Sequence, residues 1–282
     1  MAYAYIAPFY ILFAIFGLFP IVAGFGLSFL RWDGIGPMHF NGVTNYINLF
    51  KDPLFWKALS NTLLIGIIAH IPILLGGLAL AYILNSKLVK GENIFKTIYF
   101  MPMVTSSVAI SIIFQTMFGN NYGVINWFLS LFGGKNINWL GGDGSLIKVA
   151  VIVMFAWKWV GWNMVIYLAG MQGISGDIYE AAKIDGASAI QTFFKITVPL
   201  LKPTILMTAI MSTNGTLQLF DESMNLTHGG PGNASITMSH YIYNMSFKGV
   251  PNFGYTSAMS FIILIMVAIL ALVQMKVGDD RE

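Results

Sequence analysis

One apolar stretch carries three tryptophans around a lysine: Phe155-Ala156-Trp157-Lys158-Trp159-Val160-Gly161-Trp162-Asn163. Sugars stack their C–H faces on aromatic rings and hydrogen-bond their hydroxyls to amides or charges, so this composition suits a saccharide pocket. Trp159 and Trp162 are three residues apart and share a helical face. Polar groups at membrane depth are costly and usually face a bundle interior or a water-filled cavity. A second reading stays open, in which Trp157 faces lipid and Lys158 pairs with an acid for structure alone. Further along, Met211-Ser212-Thr213-Asn214 leads to Gln218, Asp221 and Glu222. Asn214 and Gln218, four apart, lie on one helical face. They either line the same path or hydrogen-bond across helices. Asp221 and Glu222 belong at an outer mouth, and one of them is the candidate partner of Lys158.

The chain that must position these residues is mostly membrane. It is 56% hydrophobic and only 10% charged, where soluble proteins carry roughly 25% charged residues. A net charge of +3 gives no support for a nucleic-acid partner. The lack of cysteine excludes disulfides, thiolate metal sites and thiol catalysis. His70, a lone imidazole among aliphatics, reads as a packed histidine rather than a metal ligand or proton relay. No catalytic constellation and no metal site are expected.

A spanning helix needs about 20 apolar residues. Six segments qualify: 3–30, 58–84, 97–118, 149–171, 203–220 and 255–275. The expected architecture is an all-α polytopic membrane protein, one transmembrane domain over residues 1–282. The first segment lacks a basic flank and exceeds the roughly 7–15 residues of a signal h-region, so it reads as a span. With both termini inside, the inner loops hold Lys87, Lys90, Lys96, Lys183, Lys195, Lys202, Lys276 and Arg281. The outer loops hold Arg31, Lys51, Lys57, Lys135, Lys148 and Lys248. This positive-inside bias places the termini in the cytoplasm. Loops 31–57, 119–148 and 221–254 then face outward.

That orientation leaves one polar module, residues 175–203, on the cytoplasmic side between spans four and five. Ser175 or Asp177 can cap a short helix through Lys183. Asp185-Gly186 supplies a turn, since glycine accepts the left-handed conformation that ends a helix. Ser188 can cap a second helix over 189–197, ended by Pro199 and Pro203. The expected elbow is stapled to the bundle by Phe193, Phe194, Ile196 and Leu200. Ala181 and Ala182 project little, so a partner can approach closely beside the charge of Glu180. An ordinary surface loop is the plainer alternative.

Glu180-Ala181-Ala182, three residues, Gly186, nine residues and Ile196-Thr197-Val198-Pro199 resemble the coupling motif of binding-protein-dependent ABC importer permeases. The motif reads E-A-A, three residues, G, nine residues, I-x-L-P, and the departure is Val198 for Leu. Trp32-Asp33-Gly34, Asn45-Tyr46, Phe55-Trp56, Asn121-Tyr122-Gly123, Gly229-Gly230-Pro231-Gly232 and Tyr241-Ile242-Tyr243 extend the likeness to the carbohydrate-uptake branch. The chain is similar to the maltose and glycerol-3-phosphate permease group, and to the first subunit of a two-permease pair.

The resemblance implies a bacterial or archaeal plasma-membrane permease whose coupling helix docks on a cytoplasmic ATPase through the Glu180 position. It implies a second permease, two ABC ATPase subunits and an extracytoplasmic solute-binding protein. It also implies that the helices on either side of the coupling loop line the sugar path. The chain has no G-x-x-x-x-G-K-[ST] stretch, so ATP and Mg are expected on the partner ATPase and no cofactor on this chain. Within this class, the substrate stays open between a neutral oligosaccharide, a glycerol phosphate and another anionic sugar. An ion-coupled secondary transporter would carry embedded acid relays and repeated halves. An intramembrane enzyme would bring His, Asp and Glu together in its spans. Neither pattern is present in the sequence.

Overall fold

The computed structural model describes residues 2–86 and 89–278; Lys87 and Arg281, counted above for orientation, lie outside them. Long apolar runs become helices because a helix satisfies its own backbone where no water can. Four are long enough to cross a bilayer unbroken: Tyr5–Ser28, Pro53–Asn85 (α4), Ile147–Gln172 (α8) and Phe253–Gly278 (α15). The first comprises α1 (Ala2–Phe13), a π turn (Ala14–Leu18) and α2 (Phe19–Ser28). A two-residue hairpin follows, pairing β1 (Leu30–Arg31) with β2 (His39–Phe40), and then α3 (Thr44–Lys51).

Two expected spans are not straight. The third is α5 (Glu92–Val104) and α6 (Ser107–Met117), bent by 99°. Pro102 and the run Thr105-Ser106-Ser107 sit at that corner. Proline withholds a donor, and serine and threonine hydroxyls compete for the backbone. The fifth joins the elbow to α12 (Lys202–Leu217) through a 70° bend. With each bent pair counted as one span, up to six segments are long and apolar enough to cross a bilayer, the second pair drawing on elbow residues Ala189–Leu200 as well as on α12. Both π turns precede a proline: Ala14–Leu18 before Pro20, and Phe193–Thr197 before Pro199. Widening the turn relieves the clash between a proline ring and the carbonyl four residues back.

α4 and α8 form the central pair. Ile65, Ala69 and Ile73 of α4 pack with Ile110 and Phe114 of α6 and with Val151, Met154 and Phe155 of α8. Nearer the elbow, Leu78, Ala81 and Leu84 pack with Met164, Tyr167, Leu168 and Met171. Small residues let helices without a water-driven attraction approach closely. A Cβ at Gly161 would run into the Tyr99 carbonyl, so that glycine sets the distance between α8 and α5.

The far end of the bundle from the elbow is closed by α7 (Val124–Leu131), α13 (Asp221–Thr227) and α14 (Met238–Phe247). Asp52 caps α4 through Leu54 N–H (2.8 Å) and accepts the hydroxyls of Tyr241 (2.5 Å) and Tyr255 (2.8 Å). Its burial favours the neutral acid, but these bonds hold its carboxyl below the usual range. Asn61 donates to the Ile236 carbonyl at 3.0 Å, and Thr62 accepts from Met238 N–H at 2.9 Å. The loop after α13 is therefore fastened to the start of α4.

Candidate substrate path and coupling elbow

Lys158 sits on α8 with its side chain only 9% exposed. Its ammonium lies 2.7 Å from Ser107 Oγ, 3.2 Å from Glu222 Oε1 and 3.8 Å from Asp221 Oδ2. Ser107 donates in turn to Asp221 Oδ2 at 2.8 Å. The sequence left the choice of acid open, and the fold uses both. The 99° corner makes this arrangement, because it puts Ser107 at the first turn of α6 beside α8. Gln115 of α6 holds the other end of α13 by donating to the Asn225 and Leu226 carbonyls at 3.0 and 3.1 Å. Lys158 is thus the acid-paired lysine of the structural reading; it also lines a cleft.

Two adjoining clefts gather the path candidates. The first, 270 Å³, is lined by Trp159, Trp162 and Asn163 of α8 and by Thr208, Ser212 and Asn214 of α12, among others. The second, also 270 Å³, is lined by Lys158, Gln218, Asp221 and Glu222. Phe155, Trp159 and Gly215 border both. Asn214 and Gln218 do not bond across helices. Gln218 donates to Asn214 at 2.7 Å along one exposed face. Trp157 stands apart, 45% exposed, with its ring 5.6 Å from Phe114.

Trp159 Nε1 and Asn163 Oδ1 are buried without a hydrogen-bond partner among the described residues. Buried polar atoms are rarely left so. One is a donor and the other an acceptor, and both belong to residues lining the first cleft. Ser107, which sequence reading missed, was signalled by three consecutive hydroxyl residues in an apolar segment.

The elbow is built as the capping residues predict, with one shift. Ser175 caps α9 (Gly176–Ile184), and its side chain accepts from Asp177 N–H. Gly186, at φ 78°, closes α9, with Ala187 N–H bonded to the Ala182 carbonyl at 2.9 Å. Ser188 and Gln191 form a reciprocal capping box at the start of α10 (Ala189–Thr192). The π turn then adds one residue before α11 (Val198–Leu200) and rotates the face. Phe193, Val198 and Leu201 pack inward, whereas Phe194 (64% exposed) and Leu200 (47%) do not staple. Tyr82 of α4 anchors the module by donating to the Ala189 carbonyl at 2.9 Å, with its ring 4.7 Å from Phe193. Glu180, Ala181, Asp185, Gly186 and Pro199 are exposed. Ala182 is buried at 7%, so the small outward face belongs to Ala181.

His70 Nδ1 approaches the Gly66 carbonyl and Nε2 approaches Thr213 Oγ1, each at 3.3 Å. Among the described residues, no group of three or more His, Asp or Glu is placed to hold a metal ion.

Residues 73–278 match the family described as binding-protein-dependent transport system inner membrane component. The chain belongs to this family. It is a multi-pass transport subunit rather than an enzyme, as the Glu180–Pro199 motif implies. A lactose transport system permease protein of Rhizobium radiobacter is 42% identical over 99% of this chain and 94% of its own length. A trehalose/maltose transport system permease protein of Thermococcus litoralis is 32% identical, covering 100% of this chain and 95% of the relative. The solved bacterial ABC transporter involved in import of the acidic polysaccharide alginate superposes with a TM-score of 0.80. It is 25% identical, with 98% of this permease and 94% of that chain covered.

Proposed function

We propose that the permease carries sugars or oligosaccharides, as one transmembrane domain that forms the path together with a second permease. The observation that carries this reading is the first cleft, lined by the indoles of Trp159 and Trp162 and by Asn163, with Trp159 Nε1 and Asn163 Oδ1 buried and unpartnered among the described residues. Rings bind the C–H faces of a sugar, and the orphaned Trp159 N–H and Asn163 carbonyl take its hydroxyls. The names of the lactose and trehalose/maltose relatives support the same substrate class.

In this reading α9 is the coupling helix, seated on one of two cytoplasmic ATPase subunits that hold ATP and Mg. An extracytoplasmic binding protein delivers the sugar at the far end of the bundle, both termini being cytoplasmic. Force on α9 passes through α10 and α11 to α12, the helix that lines the cleft with Asn214. It also reaches the end of α4 through Tyr82. The elbow and the cleft are thus joined through successive helical segments across the 70° bend, and movement of one moves the wall of the other.

The test is purification in mild detergent of this chain with its genomic neighbours, followed by reconstitution in proteoliposomes. Co-purification of an ATPase and a second six-span protein, with saccharide uptake that needs ATP, is the expected result. Uptake by this chain alone without ATP would overturn the reading. Trp162→Ala is expected to impair uptake while the ATPase still assembles.

A further inference from the structure

The clefts contain one cation, and its charge is fully engaged. An ammonium has three N–H donors. Lys158 donates to Ser107 Oγ at 2.7 Å and to Glu222 Oε1 at 3.2 Å, and forms an ion pair with Asp221 Oδ2 at 3.8 Å. Two carboxylates therefore balance its charge before any anion arrives. The first cleft has no charged residue in its lining, and the second adds only Asp221 and Glu222 to Lys158. With Glu222 ionised the cluster sums to one negative charge; with Glu222 protonated it sums to zero. In neither state is it positive. The three groups also differ in exposure: the Lys158 and Glu222 side chains are 9% and 3% exposed, and Asp221 is 47% exposed. The charge that a passing solute meets is therefore a carboxylate.

We infer that this half of the path selects neutral saccharides against anionic ones, with Asp221 as the residue that excludes the charge. The inference rests on the carbohydrate reading and narrows it, removing the phosphate and uronate classes that Lys158 left open in the sequence. A neutral sugar loses nothing at this wall. Its hydroxyls donate to Asp221 and exchange hydrogen bonds with the paired Asn214 and Gln218 amides, and its ring stacks on Trp159 or Trp162. A carboxylate or phosphate on the same sugar would meet Asp221 with no free cation to offset the repulsion.

The experiment uses the assembled importer in proteoliposomes with its binding protein and ATPase. The probes are neutral saccharides paired with singly charged oxidation products, lactose with lactobionate and maltotriose with maltotrionate. The native importer is expected to carry a neutral member and to discriminate against its charged partner. Asp221→Asn keeps an acceptor for Ser107 and removes the charge. It should raise the charged-to-neutral uptake ratio by roughly threefold to tenfold, the effect of one partly screened charge a few ångströms away. Gln218→Lys, at an exposed position on the same cleft, should move the ratio in the same direction. Because the binding protein is unchanged, a shift in ratio reports on the permease. Equal native carriage of both members, or a ratio unmoved in both variants, overturns the inference and leaves the sugar importer standing. Uptake of an amino acid or peptide with no saccharide carried overturns both.

Discussion

Lys158 of α8 and Glu222 of α13 meet at 3.2 Å, both buried and 64 residues apart in the chain. Removing Lys158 leaves Glu222 as an uncompensated buried charge, at a cost of up to about 3–5 kcal/mol. Removing Glu222 costs less because Ser107 and Asp221 still face the ammonium, and replacing both members is least harmful. Glu222→Gln and Lys158→Met are each expected to lower the detergent melting temperature and the membrane yield. The double variant should recover most of the loss. Melting of the three purified variants checks this, and additive losses would show that the two residues do not act as a pair.

Trp159 contributes a ring and an N–H to the first cleft. Trp159→Phe retains the ring and deletes the unpartnered donor, so saccharide uptake should fall by roughly tenfold, the worth of about one hydrogen bond. Trp159→Ala should abolish it. Transport measured at fixed ATPase content distinguishes the two contributions, and a Phe variant with native uptake would remove the N–H from recognition.

Glu180 is exposed on α9, and its replacement disturbs no packing in this chain. Glu180→Lys is expected to leave membrane insertion intact and to release or uncouple the ATPase. Co-purification and sugar-stimulated ATP hydrolysis measure it; normal values in both would assign the docking elsewhere.

Asp52 ties α4, α14 and α15 together through its cap and two tyrosine hydroxyls. Asp52→Ala should destabilise the permease by about 1–3 kcal/mol, from a lost cap and stranded hydroxyls. The carboxyl is held below its ordinary value of 3.8, so its contribution is complete above that value. It disappears as pH falls through the lowered one. Thermal melts of wild type and variant at neutral pH should differ by several degrees.

His240 on α14 is fully buried, with Nδ1 2.9 Å from Ser223 Oγ. Burial, with a smaller push from Lys248, brings its imidazole down to about 4 from 6.5. Between those values the unfolded chain binds the proton and the folded one does not, so stability rises with pH across that window. Melting temperature should be flat above about pH 7 and should fall as pH drops from 6.5 towards 4. A His240→Gln variant should flatten that slope.

Much of the elbow was legible locally. Ser175, Gly186, Ser188 and Pro199 act on their own neighbours, through capping and the left-handed turn, so their order in the chain is their order in space. Pro199 alone does not specify the π turn, because the extra residue depends on how the preceding helix relieves the proline clash. Its consequence was the wrong set of staples, Phe194 and Leu200 in place of Val198 and Leu201.

By itself the sequence determined an all-α membrane fold of long apolar segments, a capped polar elbow after the fourth, and the family to which the motif belongs. Those are properties of length, hydropathy and short-range spacing, each decided within about twenty residues. Only the tertiary structure decided what Lys158 is for. Its three partners come from two other helices, one of which begins at a corner that Pro102 and three hydroxyl residues mark but whose 99° angle they do not set. Whether a buried lysine is a binding charge or a spent one depends on which acids lie within 4 Å, and that distance is set by the packing of α6, α8 and α13.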